Sequence, residues 1–108
     1  MVQLIQSTAD FDAALKANAG KLVVVDFFAE WCGPCKMIAP KIEVMSQGEF
    51  KDCFFCKVDV DNDACSELCK RYEVKCMPTF VFIKDEKELD KMEGANEEKL
   101  KENINKHK

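Results

Sequence analysis

The run KLVVVDFFA, residues 21–29, constrains the fold more than any other stretch. It has the length of a strand and is apolar on both faces, so both faces need cover, and that makes it a central strand in a layered sheet. Its single acid, Asp26, stands mid-strand among Val and Phe. Directly afterwards the spacing changes: from Pro34 onward Cys35, Ile38, Ile42 and Met45 recur every three or four residues, the period of a helix that buries one stripe. Pro40 falls inside that helix and predicts a kink. Around this unit VQLIQ (2–6) reads as a first short strand, and STADFDAALKAN as a helix capped by Ser7 or Thr8 and ended by Gly20. CFFCKV (53–58) is a second buried strand, and Cys65, Leu68, Cys69 and Tyr72 mark one face of a short helix over 64–72, with Asp61 or Asp63 as its cap. TFVFIK (79–84) is a third buried strand, and KELDKMEG a weaker one, because Leu89 and Met92 do not alternate cleanly. The last segment, GANEEKLKENINKHK, predicts a helix capped by Asn96 with Leu100 and Ile104 facing inward. The order β-α-β-α-β-α-β-β-α implies an α/β sheet with helices on both faces.

A chain of 108 residues with 47% hydrophobic content suits one domain, residues 1–108, with one real core. The net charge of −4 argues against nucleic acid as the main partner, and no basic run suggests a membrane surface. The longest apolar stretch is too short to span a bilayer, and the start has no charged segment leading into an apolar one, so it does not read as a signal peptide. Seven cysteines are many and odd in number. In a fold whose strand and helix patterns already supply a core they need not form a disulfide framework, and thiols kept reduced point to a cytoplasmic chain.

Two of those cysteines, Cys32 and Cys35 in WCGPCK, fall where α/β sheets place their sites: beyond the carboxyl end of a central strand, at the start of the next helix. Residues three apart there lie close enough to form a disulfide. The unpaired N–H groups and the dipole of a helix N-terminus favour a thiolate on the first cysteine. Cys32 is therefore the nucleophile. Cys35 begins the apolar stripe with Ile38 and Ile42, which turns it inward and makes it the resolving thiol. Pro34 suits a first helical turn, having no N–H to leave unbonded, and Gly33 keeps the approach to Cys32 open.

WCGPCK, preceded by VVVDFFAE and followed by CKMIAP, KVDVD, KCMPTF and GANEEKL in order, resembles the thioredoxins of the animal cytosolic type nearly end to end. The resemblance implies a thioredoxin fold, a mixed β-sheet of about five strands flanked by four helices, and a protein-disulfide oxidoreductase that cycles Cys32 and Cys35 between dithiol and disulfide. Cys32 would attack a substrate disulfide and Cys35 would resolve the mixed disulfide. Asp26 would accept the Cys35 proton, its pKa raised by burial and restrained by Lys57. Gly33 and Pro34 would tune the redox potential. Pro78 would be a cis-proline facing the cysteines, with Met77 and Thr79 offering backbone to an extended substrate, and Trp31, Gly94 and Ala95 completing an apolar docking surface. No cofactor or metal would be bound; NADPH would enter through a thioredoxin reductase. Disulfide-containing proteins of the peroxiredoxin and ribonucleotide-reductase kinds would be substrates. The chain would be a monomer, with Cys76 as a regulatory thiol able to link two copies on oxidation. NDACSELCKRYEVK is slightly longer than its family counterpart, the turn KDEKE lacks the usual glycine, and Phe28 stands where many bacterial members carry tryptophan.

Other patterns favour quieter readings. Cys32/Cys35 and Cys53/Cys56, two CxxC pairs 17 residues apart, match a zinc-site spacing. Cys53 and Cys56, however, lie an odd number of residues apart on a strand and point to opposite faces. DVDNDACSELCK begins like a calcium loop at Asp59, Asp61 and Asp63 but has Ala64 where glycine is needed and Lys70 where the glutamate belongs. Cys65 and Cys69 sit one turn apart and read as core packing. His107, the only histidine, reads as a solvated tail residue, which leaves no Cys-His hydrolase. Oxidising disulfide-isomerase domains carry His where Pro34 stands, so the pair reads as a reductant.

Overall fold

A computed structural model describes residues 1–108. Its elements follow in the order β1 (Gln3–Ile5), α1 (Thr8–Ala17), β2 (Leu22–Phe28), α2 (Gly33–Gln47), β3 (Phe54–Asp59), a 3-10 turn (Asp63–Cys65), α3 (Ser66–Arg71), β4 (Thr79–Lys84), β5 (Lys87–Glu93) and α4 (Glu97–His107). The five strands form one mixed sheet in the order β1-β3-β2-β4-β5. β3 runs parallel to both β1 and β2, whereas β4 is antiparallel to β2 and β5 to β4. β2 is the central strand, which is why Leu22 through Phe27 are all buried.

Strand alternation divides the core into two layers. Val23, Val25 and Phe27 of β2 pack with Phe11 and Leu15 of α1 and Leu68 of α3. Leu22 and Val24 pack with Ile38, Ile42 and Met45 of α2 and with Leu100 and Ile104 of α4. Each fully buried side chain of this size contributes about 1.5–3 kcal/mol of transfer free energy, so the four amphipathic helices hold the sheet. Cys56 belongs to the first layer and Cys53 packs against the second, so this pair is split across the sheet as the odd spacing requires. No three His, Cys, Asp or Glu side chains gather in a way that could hold a metal ion.

Several local expectations change. Gly20 does not end α1. Asn18 is the C-cap, its side-chain Nδ2 donates to Ala14 O at 2.8 Å, and Gly20 (φ +85°) instead donates its N–H to Asp85 Oδ1 at 2.8 Å. Ser7 rather than Thr8 caps the other end, accepting from Asp10 N–H. The cap before the 3-10 turn is Asn62, neither Asp61 nor Asp63, with its Oδ1 accepting from Ala64 N–H at 3.0 Å. The helix expected over 64–72 is the 3-10 turn followed by six residues of α3. β5 is a full strand despite its poor alternation: the register against β4 shifts between Phe82 and Ile83, opposite Asp90 and Glu88, which leaves Leu89 out of the pairing. The helix expected from Pro34 onward is α2, and it carries Pro40 in its interior as the sequence requires.

His107 is not a solvated tail residue. Its side chain is only 16% exposed, its Nε2 lies 3.0 Å from Asp90 Oδ2, and its ring packs beside Phe82. It fastens the last turn of α4 to β5.

Candidate active site

β2 ends at Phe28 and the chain turns through Ala29–Trp31 into α2, which places Cys32 as the N-cap residue. Serine and threonine cap helices through an oxygen; here the cap atom is sulfur. Cys32 Sγ accepts from Cys35 N–H at 3.2 Å, and Pro34 occupies the first turn, where a missing N–H costs nothing. The sulfurs of Cys32 and Cys35 lie at disulfide distance, with Cα atoms 5.3 Å apart.

The two cysteines are equally covered, Cys32 at 5% and Cys35 at 4% exposure, so a contrast of exposed and shielded thiol does not separate them. Their surroundings do. Cys32 Sγ lies 3.7 Å from Met77 O, on the side where the chain passes through a cis Met77–Pro78 bond into β4. Cys35 faces the other way, into a cavity of about 380 Å³ that it lines together with Asp26 and Lys57.

Asp26 comes to that cavity from mid-β2, where it sits opposite Lys57 of β3 and Phe80 of β4. It is 6% exposed, and its Oδ1 has no hydrogen-bond partner. Burial pushes its pKa up from 3.8 to about 7, and the Lys57 ammonium pulls it part of the way back. Burial dominates because the unpaired carboxylate has left water without gaining a bond. Lys57 is only half-buried and divides its attraction, with Nζ also 5.5 Å from the centre of the Phe28 ring.

Around the pair, Trp31 stands 68% exposed, and its indole N–H donates to Asp61 Oδ2 at 2.8 Å. Gly33 and Pro34 are exposed, Met77 is half-buried and Pro78 is buried. Gly94 N–H donates to Pro78 O at 2.9 Å, and Gly94 adopts φ +100°, a backbone that favours glycine; Ala95 follows half-buried. Thr79 is fully buried, and its hydroxyl donates to Cys76 O at 2.6 Å, tying the turn that carries Met77. Cys76 itself is exposed and free, in contrast to Cys56 and Cys65, which are buried, and to Cys53 and Cys69, which are half-buried. Burial pushes the Cys53, Cys56, Cys65 and Cys69 thiols up, away from the reactive thiolate form.

Two participants are not evident from the chain alone. Asp61, weighed there as a helix cap, anchors Trp31 instead, and no spacing rule links residues 30 positions apart on two loops. The cavity walls from Ala29, Glu30, Lys36 and Ala39 are likewise assembled from two elements with no shared period.

A five-stranded mixed sheet with a vicinal cysteine pair at the N-terminus of the helix after its central strand defines a thiol-disulfide oxidoreductase. The thioredoxin family model matches residues 2–106. Thioredoxins of Ictalurus punctatus and Geodia cydonium are 48% and 50% identical over the full length of both chains, and that of Homo sapiens is 48% identical over 97% of each. Among solved structures, Fasciola hepatica thioredoxin superimposes with a TM-score of 0.93 at 50% identity, covering 99% of this chain and all of that one. Thioredoxin NaTrxh from Nicotiana alata gives 0.91 at 38% identity, covering 99% and 92%. The chain belongs to the thioredoxin family.

Proposed function

We propose that this protein, acting as one domain over residues 1–108, reduces disulfides in other proteins and is returned to the dithiol by an NADPH-dependent thioredoxin reductase. The observation that carries the division of labour is that Cys35 shares its cavity with Asp26 whereas Cys32 caps the helix and faces Met77. Cys32 thiolate, held at the α2 N-terminus, attacks one sulfur of the substrate disulfide; a Cys32–substrate bond forms and the first substrate thiolate leaves. Asp26 carboxylate takes the Cys35 proton. The Cys35 thiolate then attacks Cys32 Sγ, the intramolecular disulfide forms, and the second substrate thiolate leaves and is protonated from solvent. Two electrons have passed to the substrate, and Asp26 must then release its proton. Lys57 holds the Asp26 pKa down within reach of neutrality, so that both its protonation states are populated.

Substrates dock as extended segments across Trp31, Gly33, Pro34, Gly94 and Ala95 and against the backbone of Met77 and Pro78. Thr79, being fully buried, serves by holding that turn rather than by contact. Peroxiredoxin-like and ribonucleotide-reductase-like disulfides are the substrate class, electron delivery in a reducing cytoplasm is the setting, and the working form is a monomer without bound cofactor. The coupled assay tests this reading. NADPH with an animal thioredoxin reductase should sustain turnover of a protein disulfide in the presence of the wild type. Turnover with dithiothreitol but none with reductase and NADPH would overturn the recycling route.

A further inference from the structure

Once it has taken the Cys35 proton, the Asp26 carboxylic acid must lose it before the next cycle, and the surroundings of Asp26 bear on how. The 380 Å³ cavity touches Asp26 and Cys35 but is lined by none of Cys32, Trp31, Met77 or Pro78. Its outer wall is formed by Glu30, Lys36 and Lys57, which are exposed or half-buried, so it opens to solvent on the flank of the molecule and away from the docking face. The cavity is large enough to hold water beside Asp26 and Cys35. Asp26 Oδ1 is itself closed off from it and without a hydrogen bond, so the residue meets that space through the 6% of its surface that stays exposed. A second hollow of about 50 Å³ reaches Asp26 past Ala39 from the side of Val2 and Glu43. Ala39 and Lys57 border both spaces together with Asp26, and Ala39 contributes only a methyl group to each wall.

We propose that this lateral cavity is the proton exit of Asp26, open to water and to small carboxylate buffers while a protein substrate occupies the docking face. The proposal rests on Asp26 being the proton acceptor for Cys35. The step is a proton transfer alone: Asp26 carboxylic acid gives its proton through cavity water to a solvent base, and the carboxylate is restored for the next cycle. The charged groups facing it are Lys57 from β3, Lys36 from α2, Glu30 from the turn between β2 and α2 and, across the smaller hollow, Glu43 from α2.

The test is chemical rescue in a single-turnover assay of the release of reduced substrate. Asp26→Ala removes the carboxyl and leaves room for formate, and should slow release roughly 100-fold, in the range for loss of a general base. Formate should restore at least about a tenth of the lost rate, equally with a small aromatic disulfide and with a folded protein substrate, because the route avoids the docking face. Adding Ala39→Leu to Asp26→Ala should abolish the rescue by filling the space beside residue 26 with a larger side chain. If release is slow but formate never restores it, or restores it only with the small disulfide, the lateral exit is wrong while the role of Asp26 stands. Rescue that survives a folded Asp26→Ala/Ala39→Leu variant also rejects it, and the substrate comparison decides the matter if that double variant does not fold. Unimpaired release in Asp26→Ala alone would remove the reading of Asp26 and this one with it.

Discussion

Asp26 shows how one residue couples stability to activity. In an unfolded chain its carboxyl titrates near 3.9; in the fold it titrates at about 7. Between those values the folded state retains a proton that the unfolded state has lost, so stability falls as pH rises from about 4 to about 7 and levels off above. The full penalty is about 4 kcal/mol, from about three pH units at 1.36 kcal/mol each. Asp26→Asn should therefore stabilise the oxidised protein by up to about 4 kcal/mol at pH 8, less whatever is lost by leaving Lys57 without its counter-charge, and by little at pH 4. Urea unfolding at the two pH values measures this, and a gain independent of pH would contradict the buried-acid account. The same variant should slow substrate release more than the first attack on the disulfide. Asp26 was legible from the chain because a lone acid inside KLVVVDFFA has few harmless explanations. The flank of its cavity was not, since Lys36 and Ala39 belong to a helix whose period reports only its buried stripe.

At the scale of elements, the strands and helices with a clean period were readable, and departures arose where side chains or backbone supply what a standard signal would. The β4–β5 hairpin lacks glycine, yet Asp85 and Glu86 adopt φ of +51° and +67° at its two-residue turn. Asp85 is compensated by accepting from Gly20 N–H, whereas no bond of that kind holds the Glu86 side chain. α3 ends in the same way: Glu73 takes φ +51°, with Val74 N–H donating to Cys69 O and Glu73 N–H to Lys70 O, a Schellman arrangement normally built on glycine. The left-handed conformation costs an L-residue roughly 1–2 kcal/mol, and glycine gives back part of that relief through the entropy of the unfolded chain. Glu86→Gly should therefore stabilise by about 0.5–1 kcal/mol, seen as a raised thermal midpoint with unchanged turnover; a lowered midpoint would show that the turn is not strained. The last helix was legible as far as Ile104. His107 was not, because its partners Asp90 and Phe82 lie on strands whose register against each other is set by an irregularity no alternation rule exposes.

For the whole molecule, the sheet gathers everything reactive at one end: the helix-capping Cys32, the Met77–Pro78 turn, and Cys76 two residues before that proline. Cys76 is the one free cysteine that is exposed, so two copies meeting through their docking faces about a two-fold axis would set it against its own counterpart. Oxidation should then give a covalent dimer with Cys32 occluded. Cys76→Ser should remove that dimer from non-reducing gels and leave the freshly reduced protein fully active, and a dimer that persists in the variant would place the link elsewhere. The claim on which all of this depends is that Cys32 attacks and Cys35 resolves. Its most direct test is intact-mass analysis of the single-cysteine variants of the pair after reaction with a protein disulfide. Cys35→Ser should accumulate one covalent adduct that dithiothreitol releases, and Cys32→Ser should form none and reduce nothing. An adduct on Cys32→Ser with none on Cys35→Ser would reverse the two roles and contradict the account.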